Sequence, residues 1–476
     1  MTDNLKLIDQ ATWNSFAANL NVPIPVGALL HQAGYSSNLE NLHINANYWP
    51  MDYADFSGVN FKQCQFTGAF SHLKFGAGTM FNTEVKHAYF SDTTFGAGMN
   101  FSQTNFSDTF FKNTTFDQNK FEEMHFSYTN FDNSIIKDSA FESVFISHSN
   151  LVGLLGLNLS QEIGKGIKLL DTDAPVIGLI SSPYELIYGG EIGLTADYPY
   201  ASLKQYGATT VLLDMASVRF KIDQTGLKKE IKSILASAPE GLDNIPQYLL
   251  AQQADNLDKI KVMAKDYAQH LDAAWIPGGP DIHPEFYGQL NTASYTHDNH
   301  YVREIFEFAL INEMVLHNKP LMGICHGSQI TNVYFGGTLK QHVEGHYENH
   351  LVIPIEMNMD IAMPTGVVSE ILLKPTIGAS NHHQAIDKLG NGLKAVAISG
   401  SECESESGSV IENFIIEPLI ETVIEAAEGI NGKPIMLFQF HPEYALDQTN
   451  RDIVQQFVHL AKQYHETHDA MPHYFM

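Results

Sequence analysis

From Phe101 to Leu151 an apolar residue returns at every fifth position without a break: Phe101, Phe106, Phe111, Phe116, Phe121, Phe126, Phe131, Ile136, Phe141, Ile146 and Leu151. Neither the helical period of 3.6 nor the strand period of 2 generates this spacing. A repeat so short buries its apolar residues only when the chain winds into a solenoid whose coils stack on one another. Two residues before most of these positions stands a small or medium side chain, as in Thr104, Thr109, Thr114, Thr129, Ser134, Ser139, Val144 and Ser149. Of the 29 phenylalanines, 18 fall between Phe56 and Phe145, so the unit is compositionally distinct. Upstream of Phe101 the step varies. It is four from Phe66 to Phe70 and from Phe81 to Val85, and six at Phe75-Gly-Ala-Gly and Phe95-Gly-Ala-Gly, which read as bulged corners.

Residues 41–158 resemble the pentapeptide-repeat family. The resemblance implies a right-handed, four-sided β-helix with the central Phe or Leu and the small residue at i−2 inside the coil. Cys64, two before Phe66, then occupies an inward small-residue position and reads as packing. Some members of that family imitate DNA and bind topoisomerases. Between Glu40 and Leu151 there are 12 acidic and 6 basic residues, a difference of −6, which is mild for a DNA mimic. A recognition or spacer surface, open to a protein partner, is the expectation.

A chain of 476 residues exceeds one ordinary domain. With 44% hydrophobic and 17% charged residues it has material for several cores. The formal net charge is −27, and the three arginines are Arg219, Arg303 and Arg451. Such a surface repels phosphate backbones, which argues against nucleic acid as a partner and leaves a basic protein open. Cys64, Cys325 and Cys403 are too few for a disulfide framework or a cysteine-rich zinc site. The opening Met-Thr-Asp-Asn-Leu-Lys-Leu-Ile-Asp lacks a signal pattern, and no run approaches the roughly 18 apolar residues of a membrane span. A cytoplasmic location without membrane association is expected, with non-classical secretion left open.

Residues 1–40 read as a short helical cap, with Leu5, Leu7, Ile8, Trp13, Phe16 and Leu20 at near-helical spacing until Pro23 and Pro25 stop the pattern. Residues 159–174 read as a linker. From 175 to 476 the grammar is α/β: strands at Val176–Ile180 and Thr209–Leu213, a helix at Tyr198–Tyr206, and a helical insertion at about 225–268. Leu271–Ile276 then enters a turn at Pro277-Gly-Gly-Pro280, and an amphipathic helix covers about His300–His317. An open, mostly parallel sheet follows from this alternation, with functional loops at the strand C-termini.

The chemistry is concentrated at three of those loops. Pro320-Leu-Met-Gly-Ile-Cys325-His-Gly is an apolar strand ending abruptly in a cysteine on a tight turn before a helix, as in a nucleophile elbow. Pro434-Ile-Met-Leu-Phe-Gln-Phe440 is a second buried strand ending in His441-Pro-Glu443, an imidazole to take the thiol proton and a carboxylate to orient it. Gly278 and Gly279 lie after the strand preceding Cys325 in the chain and permit close backbone approach with N–H groups aimed at an oxyanion.

These segments together resemble the gamma-glutamyl hydrolase branch of the class I glutamine amidotransferase superfamily, over about 175 to 465. The markers are Pro277–Gly288, Gly323–Gln329, Gly336–Gln341, Ser380-Asn-His-His-Gln-Ala385, Val423–Ala426 and Phe438–Glu443. The resemblance implies a flavodoxin-like α/β domain with Cys325 as nucleophile, His441 as base, Glu443 as orienting acid, and the amides of Gly279 and His326 as oxyanion hole. It implies Gly278, Gln329, Ser380, His382, His383 and Gln384 around the substrate. His326 stands where this branch often has Arg, Ala379 where Asn usually precedes the serine, and the 225–268 segment is longer than usual. His326 is therefore expected at the pocket rim.

No cofactor or metal is expected. His342, His346 and His350 are spaced by four, but Gly345 and the strand-like Leu351–Ile353 argue against one helix carrying them. Arg303 and Glu307 read as a solvated i, i+4 pair, though Arg303 also matches a family position. Cys403, in the acidic Ser401–Gly408 loop, is a poor nucleophile. Three readings stand: a cysteine hydrolase of gamma-glutamyl small molecules; a glutaminase, deamidase or transferase acting on a glutamine-bearing protein recruited by the repeats; and an acidic binding protein with a residual triad. A homodimer is left open.

Overall fold

The chain was analysed as a computed structural model, which describes residues 6–18, 25–46, 53–132, 134–149, 154–155, 167–170, 173–181, 194–297, 300–346, 349–355, 366–402 and 422–468. The acidic loop with Cys403 and most of the segment expected to be a linker lie outside these residues.

The N-terminal part is a β-solenoid of about five turns. Its short strands pair in parallel with partners 20 residues away: Phe101 with Phe121, Phe121 with Phe141, Phe106 with Phe126, and Phe111 with Phe131. Twenty residues are four sides of five. Equivalent rings therefore stack face to face, as at Phe101–Phe121, with centroids 5.2 Å apart and planes 5° from parallel. The accompanying threonines are buried with them and donate to the coil before, Thr104 to Met80 O at 3.0 Å and Thr109 to Val85 O at 3.2 Å. Corners fall in the left-handed region at five-residue intervals, at Gln103, Asp108, Asn113, Gln118, Glu123 and Tyr128. Cys64 is buried in this core, its thiol donating to Leu39 O.

Three expectations change at the edges of the solenoid. Pro25 caps a second helix, so the N-terminal cap comprises α1 (Gln10–Ala17) and α2 (Val26–Gln32). Pro25 ends nothing because a proline just before the first turn has no N–H to lose to the helix. The first coil begins inside that region, since Asn38–Glu40 pairs with Asn60–Lys62. Ile167–Leu170 pairs in parallel with Val144–Ser147, and the buried Ile167 joins the solenoid core, so part of the expected linker is a further strand.

The second part is built on a nine-stranded sheet. Its strands, numbered along the chain, are β1 (Val176–Ser181), β2 (Thr209–Asp214), β3 (Ala273–Ile276), β4 (Leu321–Ile324), β5 (His350–Pro354), β6 (Thr376–Gly378), β7 (Leu393–Glu402), β8 (Ile424–Gly429) and β9 (Ile435–Phe438). Their spatial order is β2-β1-β3-β4-β9-β8-β7-β5-β6. The first five strands of that order are mutually parallel and the remainder antiparallel. All four residues of β3, β4 and β9 are buried, as expected for parallel strands covered on both faces.

The helices are α3 (Leu194–Gln205), α4 (Met215–Phe220), α5 (Gln224–Ala236), α6 (Ile245–Ala251), α7 (Asp255–Gln269), α8 (Tyr301–Leu316), α9 (His326–Tyr334) and α10 (Gln448–His468). α7 leads directly into β3 and so serves as the crossover helix that a parallel connection requires. The surplus in the 225–268 segment is α5 and α6. α8 is buried on almost every side, including Tyr301, Val302, Glu304, Ile305 and Phe306 in succession, so it is a core helix and not an amphipathic one.

α3 carries the contact between the two parts. Tyr200 packs its ring on Phe110, centroids 5.6 Å apart, and its hydroxyl donates to Tyr128 O at 3.0 Å. Lys204 pairs with the buried Asp108 and lies 4.4 Å over the Tyr128 ring. Ala69, Tyr89 and Phe110 of the solenoid share one apolar core with Leu203 and Ala208.

Candidate active site

Parallel pairing explains why distant segments meet. Ile276 of β3 lies beside Gly323 of β4, and Ile324 beside Phe438 of β9. With neighbouring strands about 4.7–4.9 Å apart, the loops leaving three adjacent C-terminal ends are within side-chain reach. Cys325 N donates to Phe438 O at 2.7 Å, and the backbone then turns sharply at Cys325, φ 51° and ψ −105°. A non-glycine residue in that region is strained, and α9 begins on the next residue with its positive end at the sulfur. The turn closes because residue 327 is glycine: a Cβ there would overlap Ile276 O.

His441 faces this cysteine. Its Nδ1 is 2.8 Å from Glu443 Oε1, and its backbone N–H is anchored on Ala379 O at 2.9 Å. Burial opposes a charged imidazole, but the Glu443 carboxylate, with Cys325, holds His441 well above its ordinary range. Gly278 completes the wall: a Cβ there would sit 3.2 Å from His441 Cε1 and 3.9 Å from Cys325 Cβ. Tyr444 stacks on His441, and Tyr198 of α3 meets Tyr444 edge-on, centroids 4.8 Å apart.

The glycine turn is held from below. Arg303 Nη2 donates to Gly278 O at 3.2 Å, and its guanidinium occupies the space a Gly279 side chain would need. Arg303 Nε pairs with Glu307 at 2.7 Å, and the other Glu307 oxygen lies 2.8 Å from His326 Nε2. Glu307 is wholly buried, so the pair is not solvated. Burial disfavours its charge, but Arg303 and then His326 hold its carboxyl below the usual range. Nor does the His326 side chain line a rim. It is buried, with Nδ1 2.6 Å from Pro280 O and Nε2 on Glu307, and two acceptors are satisfied together only when both ring nitrogens carry hydrogen. Glycine turn and elbow are thus tied by one buried ionic group.

Among the residues expected around the substrate, Gly278 borders Cys325 directly. His383 is partly open, with Nε2 3.0 Å from Asp281 and its ring 4.9 Å from that of the exposed Tyr295. The side chains of Gln329, Ser380, His382 and Gln384 turn inward. Gln329 donates to Gln384 O and Gln439 Oε1, Ser380 to His346 O, and Gln384 to Ser294 Oγ, while His382 Nδ1 bonds Gln384 O. They shape the wall. Sequence reasoning read Glu307 as solvated and gave no role to Asp281, Gln439 or Glu425, although these three lay within quoted motifs; only the fold marks Glu307 as buried.

An open α/β sheet with a cysteine on a strained elbow beside a His–Glu pair is the arrangement of a cysteine-dependent enzyme of amide bonds. The family model described as Peptidase C26 matches residues 256–417, a span that includes Cys325 and the Ser380–Gln384 segment and ends before His441. The glutamine amidotransferase-like protein YvdE of Lactococcus lactis subsp. lactis is 30% identical over 185 residues, 38% of this chain and 69% of that protein. Its homolog in Lactococcus lactis subsp. cremoris is 36% identical over 141 residues, 28% of this chain and 72% of that one. A Mycobacterium tuberculosis relative, provisionally named a glutamine amidotransferase, is 30% identical over 181 residues, 37% of this chain; the chain spans 52% of its length. The chain belongs to the class I glutamine amidotransferase-like superfamily, as a cysteine-type amide hydrolase or amidotransferase with an N-terminal β-solenoid. Among the described residues no helix is long and apolar enough to cross a membrane.

Proposed function

We propose that the enzyme hydrolyses gamma-glutamyl amide bonds. The observation that carries this reading is the convergence of Cys325, the His441–Glu443 pair and the Gly278–Gly279 turn at the ends of three adjacent parallel strands. Cys325 Sγ attacks the gamma-carbonyl while His441 takes the thiol proton. The oxyanion is received by the backbone N–H groups of Gly279 and His326. As the C–N bond breaks, His441 returns the proton to the leaving amine. Water, deprotonated by His441, then cleaves the thioester, freeing glutamate and the thiol. Glu443 holds the imidazole in the tautomer that points Nε2 at the sulfur.

Cys325→Ala is expected to abolish turnover of a gamma-glutamyl anilide while leaving the circular dichroism spectrum intact. Undiminished turnover in that variant would overturn the assignment. A glutamine-analogue affinity label should add to Cys325, whereas a folded enzyme that takes no label would favour the binding-protein reading.

A second reading has its own observation behind it. Tyr200 and Lys204 of α3 rest on the solenoid, and Tyr198 of the same helix meets Tyr444 beside His441. That continuity supports a glutamine-bearing protein substrate seated on the solenoid. Product mass spectrometry across gamma-glutamyl amines, polyglutamates and glutamylated proteins separates the two, since turnover confined to proteins favours the second.

A further inference from the structure

Behind the candidate active site, four histidine and glutamate side chains meet in the interior. His346 precedes β5, His350 opens it, His382 follows β6, and Glu425 lies on β8; His346, His350 and Glu425 are 0% exposed and His382 5%. Glu425 Oε1 is 3.8 Å from His346 Nδ1, 3.8 Å from His382 Nε2 and 2.9 Å from His350 Nε2. One ligand atom from each of His346, His382 and Glu425 falls within 4.8 Å of the others.

This is an expensive arrangement unless something sits among the atoms. Neither oxygen of Glu425, nor His382 Nε2, has a geometrically sound hydrogen-bond partner among the described residues, although the His350 nitrogen is close. An interior carboxylate is costly unless positive charge stands beside it, and among the described residues only imidazoles, at 2.9–3.8 Å, are placed to supply it. His382 Nδ1 lies 2.9 Å from Gln384 O, which only accepts, so Nδ1 carries hydrogen and Nε2 is the ring atom that faces the carboxylate. A separation of 3.8 Å is too long for a hydrogen bond. It suits two donors on one cation, and a ring whose far nitrogen is pinned on a backbone carbonyl is the usual form of a metal-bound histidine.

We propose that His346 Nδ1, His382 Nε2 and the Glu425 carboxylate bind a divalent transition-metal ion. Two imidazoles and a carboxylate suit Zn²⁺, whose bonds of about 2.0–2.2 Å need only a modest inward shift of the side chains. His350 is placed to hydrogen-bond the carboxylate or to serve as a fourth ligand. The three ligands are buried, so the ion is closed off from solvent and is structural. It ties together segments that flank the catalytic wall: His382 N donates to His346 O, Val343 N to His383 O, and Gln439 N, two residues before His441, to Glu425 O.

The test uses the full chain carrying Cys325→Ala, which removes a thiol that, beside the His441 imidazole, would compete for metal. Titration with Co²⁺ is expected to saturate at one ion per chain, to give the visible absorption of a low-symmetry, four-coordinate centre, and to raise the thermal midpoint. Zn²⁺ should displace the colour. His346→Ala and Glu425→Gln in that background should weaken uptake on the order of 100-fold. Because either change disturbs the interior, anomalous diffraction at the zinc edge on the unaltered chain locates the ion independently. No uptake by the Cys325→Ala chain overturns the proposal, as does an ion seated on other residues.

Discussion

Glu443 and Glu307 show how two carboxylates near one cysteine differ in what they are expected to do. Glu443 raises the proton affinity of His441, so Glu443→Gln should move the acidic limb of the kcat/KM profile to lower pH and reduce kcat by roughly 10²–10⁴-fold. A profile unchanged in both respects would remove Glu443 from the triad. The sign for stability follows: a folded value above about 6.5 contributes stability that is complete below the unfolded value and fades as pH rises through the folded one. Glu307 behaves oppositely. Its lowered carboxyl contributes stability above about 4.3 that is lost as pH falls through the folded value. Glu307→Gln strands Arg303 and His326, so urea denaturation at neutral pH should show a loss of about 3–5 kcal/mol. The residue types were legible in the sequence, but their burial was not. Arg303 and Glu307 at i, i+4 look like any surface pair until the glycine turn is laid over them.

At the scale of elements, the elbow and the solenoid rung are the two units whose geometry leaves least freedom. Gly327→Ala places a methyl on Ile276 O, so the β3 and β4 ends must part; turnover and thermal midpoint should fall together, and a variant with native activity would show that the elbow is looser than this. Phe116 is stacked on Phe95 with centroids 4.8 Å apart and paired with Ile136. Phe116→Ala should cost the solenoid about 3–5 kcal/mol while anilide hydrolysis, measured below the new transition, is unaffected. The five-residue period was readable because every turn of the solenoid repeats the same local rule. α8 was misread because its surroundings, α7, α9 and the sheet, come from elsewhere in the chain. His346 and His350 were set aside on a sound argument about helices; β5 and a loop place them together by another route.

At the scale of the whole molecule, α3 is the joint between a stacked, one-dimensional domain and a packed sheet. Tyr200→Ala combined with Lys204→Ala removes the hydroxyl bond to Tyr128 O and the partner of the buried Asp108. Calorimetry should then resolve two transitions where the parent shows one, whereas a single unchanged transition would mean the joint carries little coupling. The solenoid, the α/β alternation and the positions of Cys325, His441 and Glu443 were determined by the sequence, because each is encoded in a period or a motif only a few residues long. The tertiary structure decided that Arg303, Glu307 and His326 form one buried group under the Gly278–Gly279 turn, and that His346, His382 and Glu425 converge. Burial and convergence depend on which strands become neighbours, and that is set by the packing of the entire sheet, not by any local stretch of chain.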